Sequence, residues 1–165
     1  MKQRNATVEN IVTGSVIAAL YTVLTLACSL LGLSSGAIQL RLSEALCILP
    51  VFAPAAVPGL FIGCLLSNLL SGGLIYDVIF GSLATLLGAI GTRLLRKHKV
   101  LSLLPPIFAN TLIIPFVLVK VYGAEEALWV LFLTVGAGEI LSAGVLGYIL
   151  ERALYKHPEI LKPGK

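Results

Sequence analysis

The sequence contains few charged residues. Asp, Glu, Lys and Arg together account for 12% of its 165 residues, whereas hydrophobic residues account for 58% and the mean hydropathy is +0.98. Soluble globular domains carry about twice that share of charge. The composition therefore excludes an ordinary soluble domain and predicts an integral membrane protein, and the length predicts a single domain over residues 1–165.

Motifs for nucleotide binding and zinc-dependent hydrolysis are also absent. The sequence has no G-x-x-x-x-G-K-[ST] phosphate loop, because its one Gly-Lys pair is Gly164-Lys165, and it has no H-E-x-x-H. Cysteine is scarce, and Cys28, Cys47 and Cys64 stand singly in apolar runs without C-x-x-C spacing. Isolated cysteines of this kind favour small core residues over a metal or redox site. We therefore predict a protein that is not an enzyme and needs no cofactor.

Long apolar runs divide the chain into predicted membrane spans. Residues 11–33 form a run of 23 residues without a charge, and about 20 suffice to cross a bilayer core. Residues 43–70 are long for one span and short for two, and Pro50, Pro54 and Pro58 interrupt them. Because proline ends helices, we predict a turn at residues 54–58 between two short helices. The six predicted spans cover about residues 10–31, 43–54, 57–71, 77–96, 100–120 and 127–152.

The distribution of basic residues favours six spans over five. With six spans and a cytoplasmic N terminus, ten of the twelve Lys and Arg residues lie inside, and Arg41 and Lys120 lie outside. This excess matches the positive-inside rule, so we predict a multi-pass protein of the cell membrane with both termini cytoplasmic. It also explains the net charge of +4 without a nucleic-acid partner. Lys2 and Arg4 resemble the start of a signal peptide, but the apolar run that follows is too long, and we interpret it as a retained first span.

One segment, residues 38–50, combines several polar residues between two apolar runs. Gln39, Arg41 and Ser43 alternate with apolar neighbours, which predicts an extended segment leading into the second span. Arg41 and Glu44 at the end of a span are costly unless they pair with each other or meet a ligand. The segment is therefore a candidate binding loop, and an ion pair that only holds the loop is the alternative.

Polar residues inside the other spans each have two interpretations. Glu139 lies near the middle of the last span, where a lipid-facing carboxyl costs about 3 kcal/mol, and this favours a site over a protonated or snorkelling side chain. Asn68 and Asn110 are either interhelical hydrogen bonds or site residues. Asp77 is either a helix N-cap or a ligand contact. Trp129 is either a ligand contact or, like Tyr122, part of an aromatic belt at the membrane interface.

Small residues recur on the first span. Gly14 with Ala18, and Ser15 with Ala19, form overlapping small-x-x-x-small pairs. Such faces allow close contact between helices. They predict either internal packing or the docking of a partner subunit.

Several of these residues belong to longer motifs that occur in a fixed order along the chain. In this order they are Gln39-Leu40-Arg41-Leu42-Ser43-Glu44-Ala45-Leu46, Leu49-Pro50, Pro58-Gly59-Leu60-Phe61-Ile62-Gly63-Cys64, Asp77-Val78-Ile79-Phe80-Gly81-Ser82-Leu83-Ala84-Thr85-Leu86, Asn110 and Gly138-Glu139. With them the chain resembles the queuosine-precursor transporter (QueT) family, a group of substrate-binding S-components of energy-coupling factor (ECF) importers. The resemblance implies an all-α bundle of six transmembrane helices with an extracellular loop between helices one and two. It also implies a transmembrane coupling subunit and two cytoplasmic ATPases as partners, in addition to the lipid bilayer.

The cargo implied by the resemblance is a 7-deazaguanine base. A carboxylate accepts hydrogen bonds from its ring N–H and amino group, an Asn or Arg addresses its carbonyl, and an aromatic ring stacks on its face. We expect Glu139 or Glu44 to be the carboxylate that accepts these hydrogen bonds. Arg41 would either close over the site or pair with an acid. Asp77 would bind an aminomethyl group, if the base carries one. The full set of candidate substrate contacts is Gln39, Arg41, Glu44, Asn68, Tyr76, Asp77, Asn110, Trp129 and Glu139.

Three alternatives remain, one with another cargo and two from other functional classes. An S-component for another vitamin-like molecule would share the fold and the partners. A proton-coupled secondary carrier would use Glu139 as its titrating group and transport without ATPases. A scaffold protein would use the small residues only to assemble and would bind no small molecule.

Overall fold

The computed structural model describes residues 2–33, 40–98 and 100–157, and this part of the chain folds into helices without a strand. Helix α1 covers Lys2–Leu30, a 3-10 helix covers Leu42–Val51, and α2 and α3 cover Ala56–Leu70 and Ile75–Leu94. A 3-10 turn, Leu101–Leu103, leads into α4, Leu104–Tyr122. The last helix is continuous and consists of α5 (Leu128–Glu139), a π-helical segment (Ile140–Leu146) and α6 (Gly147–Lys156). The predicted all-α class with six helices is confirmed.

Helix lengths divide the described residues into two groups. Four helices are long and apolar enough to cross a membrane: Ala6–Leu30, Ile75–Leu94, Leu101–Tyr122 and Leu128–Lys156. The other two, Leu42–Val51 and Ala56–Leu70, are shorter and equally apolar, and a turn at residues 52–55 separates them. The first of the short pair is a 3-10 helix of ten residues with Pro50 inside it. Runs of 3-10 helix beyond three or four residues are uncommon, and residues three apart eclipse each other in them.

The two ends of the bundle differ in chemistry. We call one end the polar end, because residues 40–42, 71–74 and 122–127 lie there. We call the other end the basic end, because it carries residues 93–97 and 152–156. At the basic end the Arg93 guanidinium donates to the carbonyls of Pro50 (3.0 Å) and Val51 (3.2 Å). These bonds satisfy carbonyls that the end of the 3-10 helix leaves without partners.

Glycines bring α1 and α2 into close contact. A Cβ placed on Gly59 would lie 2.6 Å from the Gly14 carbonyl oxygen, and a Cβ on Gly63 would lie 2.8 Å from that of Ala18. Close approach of backbones through small residues is how helices associate in a membrane. Gly14 and Ala18 therefore serve internal packing, one of the two uses predicted for the small residues of the first span.

We expect Gly63→Ala to lower the melting temperature, because its methyl group meets backbone on α1 that cannot move away. Overpacking of this kind costs about 1–3 kcal/mol. The matched control is Gly144→Ala, whose Cβ would lie 3.5 Å from the flexible Ile107 side chain. Thermal unfolding of the detergent-solubilised proteins measures both. Equal melting temperatures for the two variants would contradict this packing.

Candidate functional site

Two buried carboxylates from distant parts of the chain lie close together in the bundle. Glu44 is 1% exposed near the start of the 3-10 helix, and Glu139 is 8% exposed at the end of α5. The two side chains interact electrostatically. Burying one carboxylate is costly and burying two together more so, unless other groups compensate. The structure satisfies both carboxylate oxygens for one of them only.

Glu44 accepts hydrogen bonds from three elements. The Tyr21 hydroxyl on α1 donates to Oε1. The Cys47 thiol, one 3-10 turn further along the same helix, lies 3.1 Å from Oε2, and Nδ2 of Asn110 on α4 lies 3.4 Å from the same oxygen. We call Tyr21, Glu44, Cys47, Asn110 and Glu139 the carboxylate cluster. Both oxygens of Glu44 are thus satisfied from within the protein.

Glu139 differs because one of its oxygens stays unsatisfied. Asn110 interacts with the Glu139 carboxyl, but Oε2 is buried and has no hydrogen-bond partner among the described residues. A buried acceptor without a donor costs about 1–3 kcal/mol, and more when it is charged. This oxygen is therefore a buried polar atom whose hydrogen-bonding capacity is not used within the described residues.

Arg41 connects the carboxylate cluster with the polar end. Its backbone N–H donates to Ser142 Oγ at 3.2 Å, in the π-helical segment directly after Glu139. Its charge interacts with Glu44 and Asp77 and with Glu139. Burial disfavours its charged form, but the ionisable groups around it raise the pKa of the Arg41 guanidinium above its usual range. The site therefore contains a permanent positive charge beside its acids.

A polar cavity of about 330 Å³ opens at the polar end. This volume is near the lower limit for small-molecule sites, which occupy about 300–1,000 Å³. The cavity is lined by Thr25, Ser29, Arg41, Asn68, Ser71, Gly72, Gly73, Asp77 and Tyr122. Arg41 lines the cavity and its charge also interacts with both buried carboxylates, which do not line the cavity themselves. A larger groove of about 640 Å³ lies between α1 and α2 and is almost entirely apolar.

A hydrogen bond between two helices borders the cavity. The Tyr122 hydroxyl donates to Asp77 Oδ2 at 2.9 Å and accepts from the backbone N–H of Leu74 at 3.3 Å. Asp77 is the third residue of α3, whose N-cap is Leu74. The N-cap interpretation of Asp77 is therefore wrong, although an acid in the first turn still interacts favourably with the helix dipole.

The structure brings most of the predicted site residues together. Glu44, Asn110 and Glu139 belong to the carboxylate cluster, and Arg41, Asn68 and Asp77 line the polar cavity. Tyr76 and Trp129 do not join them, since they are 60% and 66% exposed and do not line the cavity. The exposure of Trp129 favours its other interpretation, a residue of the aromatic belt at the membrane interface. Gln39 lies outside the described residues.

The small residues of α1 face two directions. Gly14 and Ala18 pack on α2, as described above. Ser15 and Ala19 are exposed, and together with Gly14 and Ala18 they line the α1–α2 groove. The four predicted docking residues thus share one groove, although only two of them present exposed side chains.

Sequence reasoning missed several residues of the site. Tyr21 and Cys47 bind Glu44, and Tyr122 binds Asp77 rather than serving only at the interface. One signal was available for Tyr21, which is the single aromatic residue of the apolar run 11–33. Cys47 had a weaker one, its position three residues after Glu44. Tyr122 was missed because tyrosine is an ordinary residue near the ends of membrane spans.

Comparisons with known proteins show the family of the chain. The sequence pattern of a family described as QueT transporter matches residues 11–156. The queuosine precursor transporter QueT of Lactococcus lactis subsp. cremoris (strain MG1363) is 40% identical over 91 residues, which are 54% of this chain and 53% of that protein. The chain thus spans about half the length of the curated relative it matches. No solved structure matches the chain. Because the family match covers most of its length, the chain belongs to the QueT transporter family.

Proposed function

We propose that this chain is the substrate-binding membrane subunit of an importer for a queuosine precursor, a 7-deazaguanine-type base. The observation that carries the proposal is the carboxylate cluster, in which Glu139 keeps one buried oxygen without a hydrogen-bond partner among the described residues. Arg41, whose charge interacts with Glu139, lines the polar cavity. Intramembrane ionisable groups normally mark a substrate or ion pathway. The name of the Lactococcus relative supports the class of cargo.

Glu139 rather than Glu44 is the acceptor for the base. The ring N–H and the amino group of a 7-deazaguanine are neighbouring donors, and a carboxylate accepts both. Glu44 already accepts from Tyr21, Cys47 and Asn110, so it forms the wall behind the site. Asn110 interacts with both acids and so orients the Glu139 carboxylate towards the base.

Arg41 and Asp77 act at the entrance. Both line the polar cavity, and Asp77 is held by the Tyr122 hydroxyl. An aminomethyl group on the base is a cation, and Asp77 offers it a carboxylate at the cavity. The distribution of Lys and Arg supports an outward-facing polar end, so the base enters there and Arg41 closes over it.

ATP-driven transport requires partner subunits, because the chain has no G-x-x-x-x-G-K-[ST] phosphate loop. We assign energy coupling to an ECF-type module with a transmembrane coupling subunit and two cytoplasmic ATPases. The α1–α2 groove is the surface offered to the coupling subunit, since it is apolar and lined by the small residues of α1. The partner module moves the loaded subunit, and the base is released on the cytoplasmic side.

We expect Ala19→Trp to abolish co-purification with the coupling subunit while base binding stays intact. The indole fills the α1–α2 groove, which α1 lines with residues up to Ala19, whereas the polar cavity meets α1 further along, at Thr25 and Ser29. The matched control is Leu87→Trp, which adds an indole to the exposed α3–α4 groove. Pull-down of the assembled complex measures the first effect and calorimetry the second. Retention of the partner by Ala19→Trp would remove the groove from the proposal.

Uptake in proteoliposomes tests the proposal as a whole. We expect uptake of 7-aminomethyl-7-deazaguanine to need ATP and the partner subunits. Uptake by the chain alone, driven by a pH gradient, would establish the secondary carrier instead. Uptake of a vitamin in place of the base would establish an S-component with another specificity.

A further inference from the structure

Tyr21 is a fully buried residue whose hydroxyl has no direct role in the proposed binding of the base. It is 1% exposed on α1, in a core formed with Ile17, Leu60 and Cys64 among others. Phenylalanine would fill the same space without a polar atom, and burying a hydroxyl is costly unless it is hydrogen-bonded. Here the hydroxyl donates to Oε1 of Glu44, 23 residues away in the chain.

Packing fixes the ring independently of that hydrogen bond. A Cβ placed on Gly63 of α2 would lie 2.8 Å from the Tyr21 Cβ and equally close to the Ala18 carbonyl oxygen. The backbone position of Tyr21 is thus held by a close contact between α1 and α2. Since the ring is anchored by its surroundings, it positions the Glu44 carboxylate rather than being positioned by it.

The hydrogen bonds continue from Glu44 to the proposed base contact. Glu44 Oε2 accepts from Asn110 Nδ2 at 3.4 Å, which orients the amide, and the same Asn110 interacts with Glu139. We propose that Tyr21 is a positioning residue for the substrate site, which acts through Glu44 and Asn110 on Glu139. This inference rests on the proposed function, because it assumes that Glu139 binds the base.

A purely structural role for the Tyr21 hydroxyl makes different predictions. In that case its loss would lower the stability of the empty protein and leave the affinity of the folded fraction unchanged. A positioning role instead lowers the affinity, and the loss depends on the Glu44 carboxylate. A double-mutant cycle separates the two, since residues that act on each other are not additive.

The experiment measures the affinity for 7-aminomethyl-7-deazaguanine by calorimetry in purified full-length variants. We expect Tyr21→Phe to weaken binding about 10- to 100-fold, the usual range for one hydrogen bond to a charged group, together with a lower melting temperature of the empty protein, because Glu44 Oε1 loses its donor. In the Glu44→Gln background the same substitution should change affinity less than about 2-fold. The matched control is Tyr148→Phe, which removes a hydroxyl that accepts from Arg152 on α6.

Three results would overturn the inference. Binding by Tyr21→Phe as tight as wild type is the first, and an equal loss in both backgrounds is the second. Failure of Tyr21→Phe to fold is the third, since the hydroxyl would then serve stability. If Glu139→Gln weakens binding while Tyr21→Phe does not, only this inference fails. If Glu139→Gln binds normally, the proposed function fails with it.

Discussion

Glu139→Gln should weaken binding of the 7-deazaguanine base by about 100- to 1,000-fold, which corresponds to about 3–4 kcal/mol. The substitution keeps the shape of the side chain but replaces one acceptor oxygen by an NH₂ group. That group faces a donor of the base instead of accepting from it. The loss is large because hydrogen bonds to a charged group contribute about 1.5–3 kcal/mol each, and an unpaired buried donor adds to the cost. Equilibrium binding by calorimetry measures it.

The matched control for Glu139→Gln is Glu151→Gln. Glu151 is also a buried carboxylate, 1% exposed, on the same continuous helix, but it lies at the basic end. We expect the control to bind the base as wild type does. Undiminished affinity in Glu139→Gln, or an equal loss in both variants, would contradict the role given to Glu139.

Arg41→Gln should both destabilise the empty protein and weaken base binding about 10- to 100-fold. The guanidinium is the one positive charge that interacts with Glu44, Asp77 and Glu139 together within the described residues. Removing one partner of a fully buried charge pair costs about 3–5 kcal/mol. Because Arg41 is only partly buried, we expect about 1–3 kcal/mol here, scaled down from that range. Thermal unfolding and the dissociation rate of the base measure the two effects, and we expect dissociation to become faster.

Lys120→Gln provides the comparison, because it removes the other positive charge that the sequence places at this end of the protein. Lys120 is exposed and does not line the polar cavity. We expect its stability and affinity to stay close to wild type. If the two variants behaved alike, the effect would come from the overall charge of the polar end rather than from Arg41.

The helical architecture could be predicted from sequence because few backbone structures can cross a bilayer. A backbone in lipid must satisfy its own hydrogen bonds, so long apolar runs become helices. The distribution of Lys and Arg favours six crossings, which stays a prediction. The same physics made Glu139 and Asn110 candidates, because an ionisable or amide group inside an apolar run is costly unless it has a partner or binds a ligand. These predictions depend on the solvent more than on tertiary contacts.

The rest of the site depends on tertiary contacts that no local pattern contains. Tyr21 and Cys47 are ordinary residues of an apolar span until the fold places both beside Glu44. Asp77 looked like a helix cap, but α3 begins two residues earlier, and its partner Tyr122 lies 45 residues away. Tyr76 and Trp129 were candidates only because an aromatic ring can stack on a base. The fold leaves both side chains exposed, outside the carboxylate cluster.

The small residues of α1 show the same limit. Four of them share one spacing, which predicts a close helix contact but not the partner. The structure divides them, since Gly14 and Ala18 meet α2 whereas Ser15 and Ala19 stay exposed. The division depends on Gly59 and Gly63, more than 40 residues further along the chain. One periodicity can thus serve internal packing and leave a groove for a partner.

Mass spectrometry of the small molecules released from the purified protein tests the central claim most directly. The protein is purified from cells grown with a queuosine precursor, denatured, and its released contents are compared with those of Glu139→Gln. We predict that wild type releases a 7-deazaguanine base and that Glu139→Gln releases almost none. Release of an unrelated vitamin by wild type, or the same amount of base from both proteins, would contradict the account.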